Sequence, residues 1–161
     1  MAKIAFQTFS EKNQSLKDFV MCMAVKGVFF HCEIHFRDGA VGSSGNKNRG
    51  VVLISNKDRE YKSGEWIFYE IPCTASQEDK MRDYFIQNLN QKYNMKGVLG
   101  SMVTGLNVDS KKAEFCSEVC FNSLTKAGII SNFGLKAQEL SPSHLQTIIE
   151  KLGWKRSQFY Q

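Results

Sequence analysis

An α+β fold is predicted by two features of the chain. Strand-like segments, with one helical stretch among them, crowd its first half, and helical periodicity dominates its second half. The 161 residues suit one domain, taken as 1–161. With 42% hydrophobic and 12% aromatic residues, the composition excludes disorder. Lys and Arg number 21 against 16 Asp and Glu, and the resulting charge of +5 is spread along the chain. It permits an anionic partner without arguing for one.

Taken in order, Lys3–Phe9 alternates apolar and polar residues and predicts a strand. Ser10–Ser15 is polar and loop-like. Leu16, Phe19, Val20, Met23 and Ala24 recur at helical spacing, with Gly27 as C-cap. Val28–Phe36 is aromatic and β-rich, and Arg37-Asp38-Gly39 is a turn signal. Gly39–Gly50, with four glycines, is expected to be a surface loop. Val51–Ser55 and Glu65–Ile71 predict two more strands, the second stopped by Pro72. Ser76 and Asp79 form a helix N-cap pair, and Met81, Tyr84, Phe85 and Leu89 follow on one face. Asn94–Asn107 is expected to be a long Gly/Met-rich loop. Phe115–Ala127 predicts a helix with Val119, Cys120, Leu124 and Ala127 inward, closed by Gly128. Ser141-Pro142 opens a last helix whose apolar face is Leu145, Ile148, Ile149 and Leu152, ended by Gly153.

Two segments carry residues with chemistry. In His31-Cys32-Glu33-Ile34-His35, alternation places His31, Glu33 and His35 on one face of a strand and Cys32 and Ile34 on the other. By residue type alone this is an edge strand with a polar outer face. The sharper reading makes His31 a general base, which needs no large pKa shift near neutral pH. In Glu114-Phe115-Cys116-Ser117-Glu118, the cysteine enters a helix. The positive end of the helix dipole favours thiolate there, and Cys pKa at such sites falls from roughly 8.5 to between about 3.5 and 7.5. Taken alone, Cys116 and Cys120 read instead as small core residues one turn apart.

A zinc site from His31, His35, Cys116 and Cys120 lacks any CxxC knuckle, and the two histidines lie about 13 Å apart along a strand. No metal site is therefore expected. Nor is a cofactor, since the chain has no GxGxxG after a strand, no P-loop, no HExxH and no GxSxG. Lys92-Tyr93 and Trp154-Lys155-Arg156 could touch nucleic acid but read as solvated helix ends, so no nucleic-acid partner is expected. No stretch of about 18 apolar residues predicts a membrane span, and Met1-Ala2-Lys3-Ile4 leads into a strand rather than a signal peptide. Five cysteines without an even framework favour reduced thiols in a cytosol-like compartment, or a particle made there.

These pieces fall in a recognisable order. A strand bears His31, the turn at Asp38-Gly39 and a Ser/Gly stretch follow, then Gly50-Val51-Val52 and Trp66-Ile67-Phe68-Tyr69-Glu70-Ile71-Pro72. A helix ends near Tyr93-Asn94, Phe115-Cys116-Ser117-Glu118 opens another, and Ala127-Gly128 and Leu140-Ser141-Pro142-Ser143-His144-Leu145 come last. From about Leu16 to Leu152 this arrangement resembles the circularly permuted branch of the NlpC-type, papain-like cysteine hydrolases. That branch includes YiiX-like bacterial proteins, poxvirus and phage members and lecithin:retinol acyltransferase-like enzymes.

The resemblance implies a small antiparallel sheet packed against helices, with the nucleophile at a helix N-terminus and the His strand preceding it in sequence. Cys116 matches the nucleophile and His31 the base. The family's third polar residue, on the next strand, falls on Ser43, Ser44 or Asn46 here, none of them a carboxylate. Glu33, on the face of His31, is the alternative orienting residue. The implied reaction is acyl transfer through a Cys116 acyl-enzyme, on peptide, amide or lipid-ester substrates, cell-wall peptides among them. The rival reading is a non-catalytic protein of the same fold that binds virion or host components. Both imply a cytoplasmic or phage- or virion-associated protein.

Overall fold

The computed structural model describes residues 1–8, 28–45, 50–59, 61–62, 64–91 and 115–157. The helix expected over 16–24, Cys22, Asn46, Glu114 and the Gly/Met-rich loop 94–107 lie outside these residues. The fold is α+β. Among the described residues six strands form one antiparallel sheet: β1 Lys3–Thr8, β2 Phe29–His35, β3 Ala40–Gly45, β4 Gly50–Ser55, β5 Trp66–Glu70 and β6 Arg156–Ser157. Their order across the sheet is β4-β3-β2-β1-β5-β6. Among the described residues three helices accompany it: α1 Ala75–Gln87, α2 Cys116–Lys126 and α3 Pro142–Lys151.

The helices follow from local chemistry. Thr74, not Ser76, caps α1: its hydroxyl accepts from the Gln77 N–H, and the Gln77 side chain accepts from the Thr74 N–H. This reciprocal pair satisfies two otherwise orphaned amides. Leu89 falls beyond the end of α1 and is exposed, as is Leu152, the C-cap of α3. α3 starts as expected, with Ser141 accepting from the His144 N–H and Pro142 at its first position. Gly128, with φ of +67°, follows the end of α2 in the left-handed conformation that an L side chain adopts only with strain.

One sheet face packs on the helices. Ile4 and Phe6 of β1, Cys32 and Ile34 of β2 and Tyr69 of β5 join Val119, Cys120, Phe121 and Leu124 of α2 and Leu145 and Ile149 of α3 in a continuous apolar core. α2 lies on β2 and β3, between α1 and α3.

Within the segment 39–50, residues 40–45 are strand rather than surface loop, and 46–49 lie outside the described residues. β3 runs through it and pairs with β4 from Ala40–Ser55 to Gly45–Gly50, with Val41, Gly42, Ser43 and Ser44 buried. The physical reason is packing: a Cβ on Gly42 would lie 2.8 Å from ring carbons of Phe85, so only glycine lets α1 settle on this strand. Nor is β2 an edge strand, since it sits between β3 and β1. Its polar face is covered, with Glu33 fully buried and His35 7% exposed. Arg156, expected at a solvated helix end, lies in β6 and pairs with Tyr69.

Candidate functional site

The β2–β3 ladder is short. It pairs Ile34 with Gly42 and His35 with Val41 and goes no further, although β3 continues alongside β4. Above Ile34 the two strands part, and the first residue of α2, Cys116, meets β2 there. Its sulfur lies beside the Cys32 thiol and backbone N–H and beside the His31 imidazole. The start of α2 is held in place by Ser117, whose buried hydroxyl donates to the Leu140 carbonyl. The start of β2 is held by Ser143 of α3, whose hydroxyl accepts from the Phe29 N–H at 3.2 Å.

These contacts set the charge state of the thiol. The Cys32 thiol and then His31 hold Cys116 well below the ordinary thiol value, against the opposing effect of burial. A thiolate with two donors and an imidazolium beside it is the more stable form even though the residue is only 3% exposed. For His31, burial opposes the charge, yet Cys116 and Glu33 push it up to about 9. Cys32 moves the other way: burial, with Cys116 and Cys120 beside it, pushes its thiol up.

The face of β2 that carries His31 holds the rest of the site. The row His31–Gln7–Trp66 crosses β2, β1 and β5, and the next row is Glu33–Ala5–Phe68. Ser43 Oγ lies 3.1 Å from His31 Nε2, and Glu33 Oε2 lies 3.6 Å from the same nitrogen. The first is a hydrogen bond and the second an ion-pair contact. Trp66 stands edge-on to the His31 ring at 6.1 Å.

Glu33 is the hub. Its Oε1 is 3.0 Å from His35 Nε2 and accepts from the Tyr61 hydroxyl, and its Oε2 is 3.2 Å from Arg59 Nη2. Burial alone would raise the pKa of this carboxyl. The ion-pair contact with His31, the bond with His35 and the charge of Arg59 hold it below the usual carboxylate range. A fully buried carboxylate survives only with such company. Burial and the Glu33 charge in turn push the Tyr61 phenol far up, so it stays a donor. Beside this cluster Trp66 and Phe68 stack on each other, and Tyr61 meets both edge-on.

Of the residues singled out from sequence, the fold brings Cys116, His31, Glu33 and Ser43 together. Ser44 is buried on β3, on the face opposite Ser43, and Asn46 is outside the described residues. Among the described residues, no three His, Cys, Asp or Glu side chains are grouped to hold a metal ion. The sequence reading missed Arg59, Tyr61 and the role of Cys32. One signal was available: a glutamate on a strand between two histidines, once buried, demands a cation and donors nearby. No family model matches the chain, and no curated protein matches it.

Proposed function

We propose that the protein is a cysteine hydrolase of the permuted, papain-like NlpC type, an amidase, peptidase or acyl hydrolase working through a Cys116 acyl-enzyme. The observation that carries this reading is the meeting of Cys116, at the first position of α2, with His31 on β2. The chemistry runs as follows. His31 Nε2 is engaged by Ser43 and Glu33, which leaves Nδ1 to take the Cys116 proton. The thiolate attacks an amide or ester carbonyl, and backbone N–H groups at the start of α2 are the oxyanion donors. His31 returns the proton to the leaving amine or alcohol, and water then releases the acyl group. Glu33 supplies the negative charge that supports imidazolium, and Ser43 fixes the ring. Peptides, including those of cell walls, other amides and lipid esters are the substrate classes. Among the described residues no helix is long and apolar enough to cross a membrane, and the reading carries with it a cytoplasmic or phage-associated setting.

A second reading is favoured by one observation. Cys116 is 3% exposed, which suits a scaffold of the same fold that binds partners without turnover. The pH dependence of iodoacetamide alkylation, mapped to each cysteine by mass spectrometry, separates the two. The hydrolase reading expects Cys116 to react fastest and as a thiolate below about pH 7, with His31→Ala returning it to an ordinary thiol. Alkylation of Cys116 no faster than that of Cys73 would remove the catalytic reading and leave the scaffold.

A further inference from the structure

The carboxylate of Glu33 serves two cations through one oxygen. His31 Nε2 approaches Oε2 at 3.6 Å and Arg59 Nη2 approaches it at 3.2 Å. The other oxygen is occupied by His35 and Tyr61, so the carboxylate cannot turn to give each cation its own oxygen. The Arg59 contact is close but misdirected. Arg59 Nη2 and Glu33 Oε2 are both buried and neither completes a hydrogen bond. The guanidinium therefore acts on this site as charge rather than as a fork.

We infer that Arg59 is a positioning residue that shares Glu33 Oε2 with His31 and thereby limits how tightly that imidazole keeps its proton. For its catalytic meaning this rests on the hydrolase reading. A base that must also act as acid works best when its proton is neither too free nor too firmly held. Glu33 and the Cys116 thiolate both favour imidazolium; a fixed cation beside Glu33 opposes it. The ionisable groups that meet His31 are Cys116 from α2 and Glu33 from its own strand; His35, and Arg59 and Tyr61 from the segment after β4, meet Glu33. β3, β1 and β5 contribute Ser43, Gln7 and Trp66, none of which titrates as an acid or base here.

The test is the titration of His31 in the full chain, read by NMR of 15N-labelled imidazoles, beside the alkylation profile of Cys116. In Arg59→Met the His31 midpoint should rise by about half to one pH unit, in Glu33→Gln it should fall by about a unit or more, and Arg59→Lys should stay near wild type. Opposite shifts are a signature that a merely structural role would not give. Should Arg59→Met fail to fold by circular dichroism, Arg59→Gln is read in its place. A midpoint that stays put or falls when the guanidinium is lost overturns the inference. If wild-type Cys116 alkylates like an ordinary thiol while the opposite shifts appear, the hydrolase reading falls and the charge sharing stands. If Cys116 is a low-pH thiolate and the shifts do not appear, the reverse holds.

Discussion

A Cβ placed on Gly42 would sit 2.8 Å from three ring carbons of Phe85, so helix α1 rests directly on the backbone of strand β3. Ser43, the next residue, points to the opposite face and reaches His31. Gly42→Ala should therefore force the Phe85 ring or the strand to move, costing about 1–3 kcal/mol. Urea unfolding followed by tryptophan fluorescence would measure this. A variant as stable as wild type would mean that α1 shifts freely over β3.

The two supports of His31 should differ in weight. Ser43 offers a neutral hydrogen bond, whose loss is worth about 0.5–1.5 kcal/mol, whereas Glu33 offers a charge worth about 1.5–3 kcal/mol. Ser43→Ala should slow Cys116 alkylation at neutral pH by about 2- to 10-fold, and Glu33→Gln by about 10- to 100-fold. The reverse ranking would make Ser43 the principal orienting residue.

The Cys32 thiol and backbone N–H both lie beside the Cys116 sulfur and favour its thiolate, the thiol more strongly. Cys32→Ala removes only the first donor, so the alkylation midpoint of Cys116 should rise by about one pH unit. Cys32→Ser restores a donor and should recover most of that rise. Equal midpoints in wild type and Cys32→Ala would assign the thiolate to His31 and the helix terminus alone.

Stability should respond to pH through the same pair. His31 is raised from 6.5 to about 9, so its stabilising contribution is complete below 6.5 and lost as pH climbs through about 9. Cys116 is depressed well below 9.0, so its contribution is complete above 9.0 and lost as pH falls through the lowered value. Between pH 6.5 and 9 the folded pair and the unfolded pair each hold one proton, and the two slopes cancel. Cys116→Ser removes the rising slope and leaves the falling one, reduced to what Glu33 sustains. Denaturation midpoints across that window should be flat for wild type, as far as this pair is concerned, and decline for Cys116→Ser. Parallel curves would separate the thiol from the imidazole.

The parts of this molecule that could be read from sequence are those governed by local rules. Alternation in 31–35 placed His31 and Glu33 together, opposite Cys32, and the cap at Ser141-Pro142 and the cysteine at a helix start are local signals too. β3 escaped because its fitness as a strand is tertiary. Gly42 is there for Phe85 and Ser43 for His31, and a Gly/Ser segment has no apolar alternation to betray it. The burial of Glu33 and His35 was hidden for the same reason, since neighbours distant in sequence decide whether a polar face meets water. Arg59 and Tyr61 lie in a polar stretch with no periodicity, and only the folded chain brings them to Glu33.

Phe29, two residues before His31, is tied to Ser143, 114 positions further along the chain, and Ser117 beside Cys116 is tied to Leu140. The first tie cannot form on a nascent chain until Ser143 has left the ribosome, and the second cannot form until Leu140 has. The strand of His31 and the helix start of Cys116 are thus fastened by residues made well after them, and the surroundings that favour a thiolate at Cys116 belong to the folded molecule rather than to the growing chain.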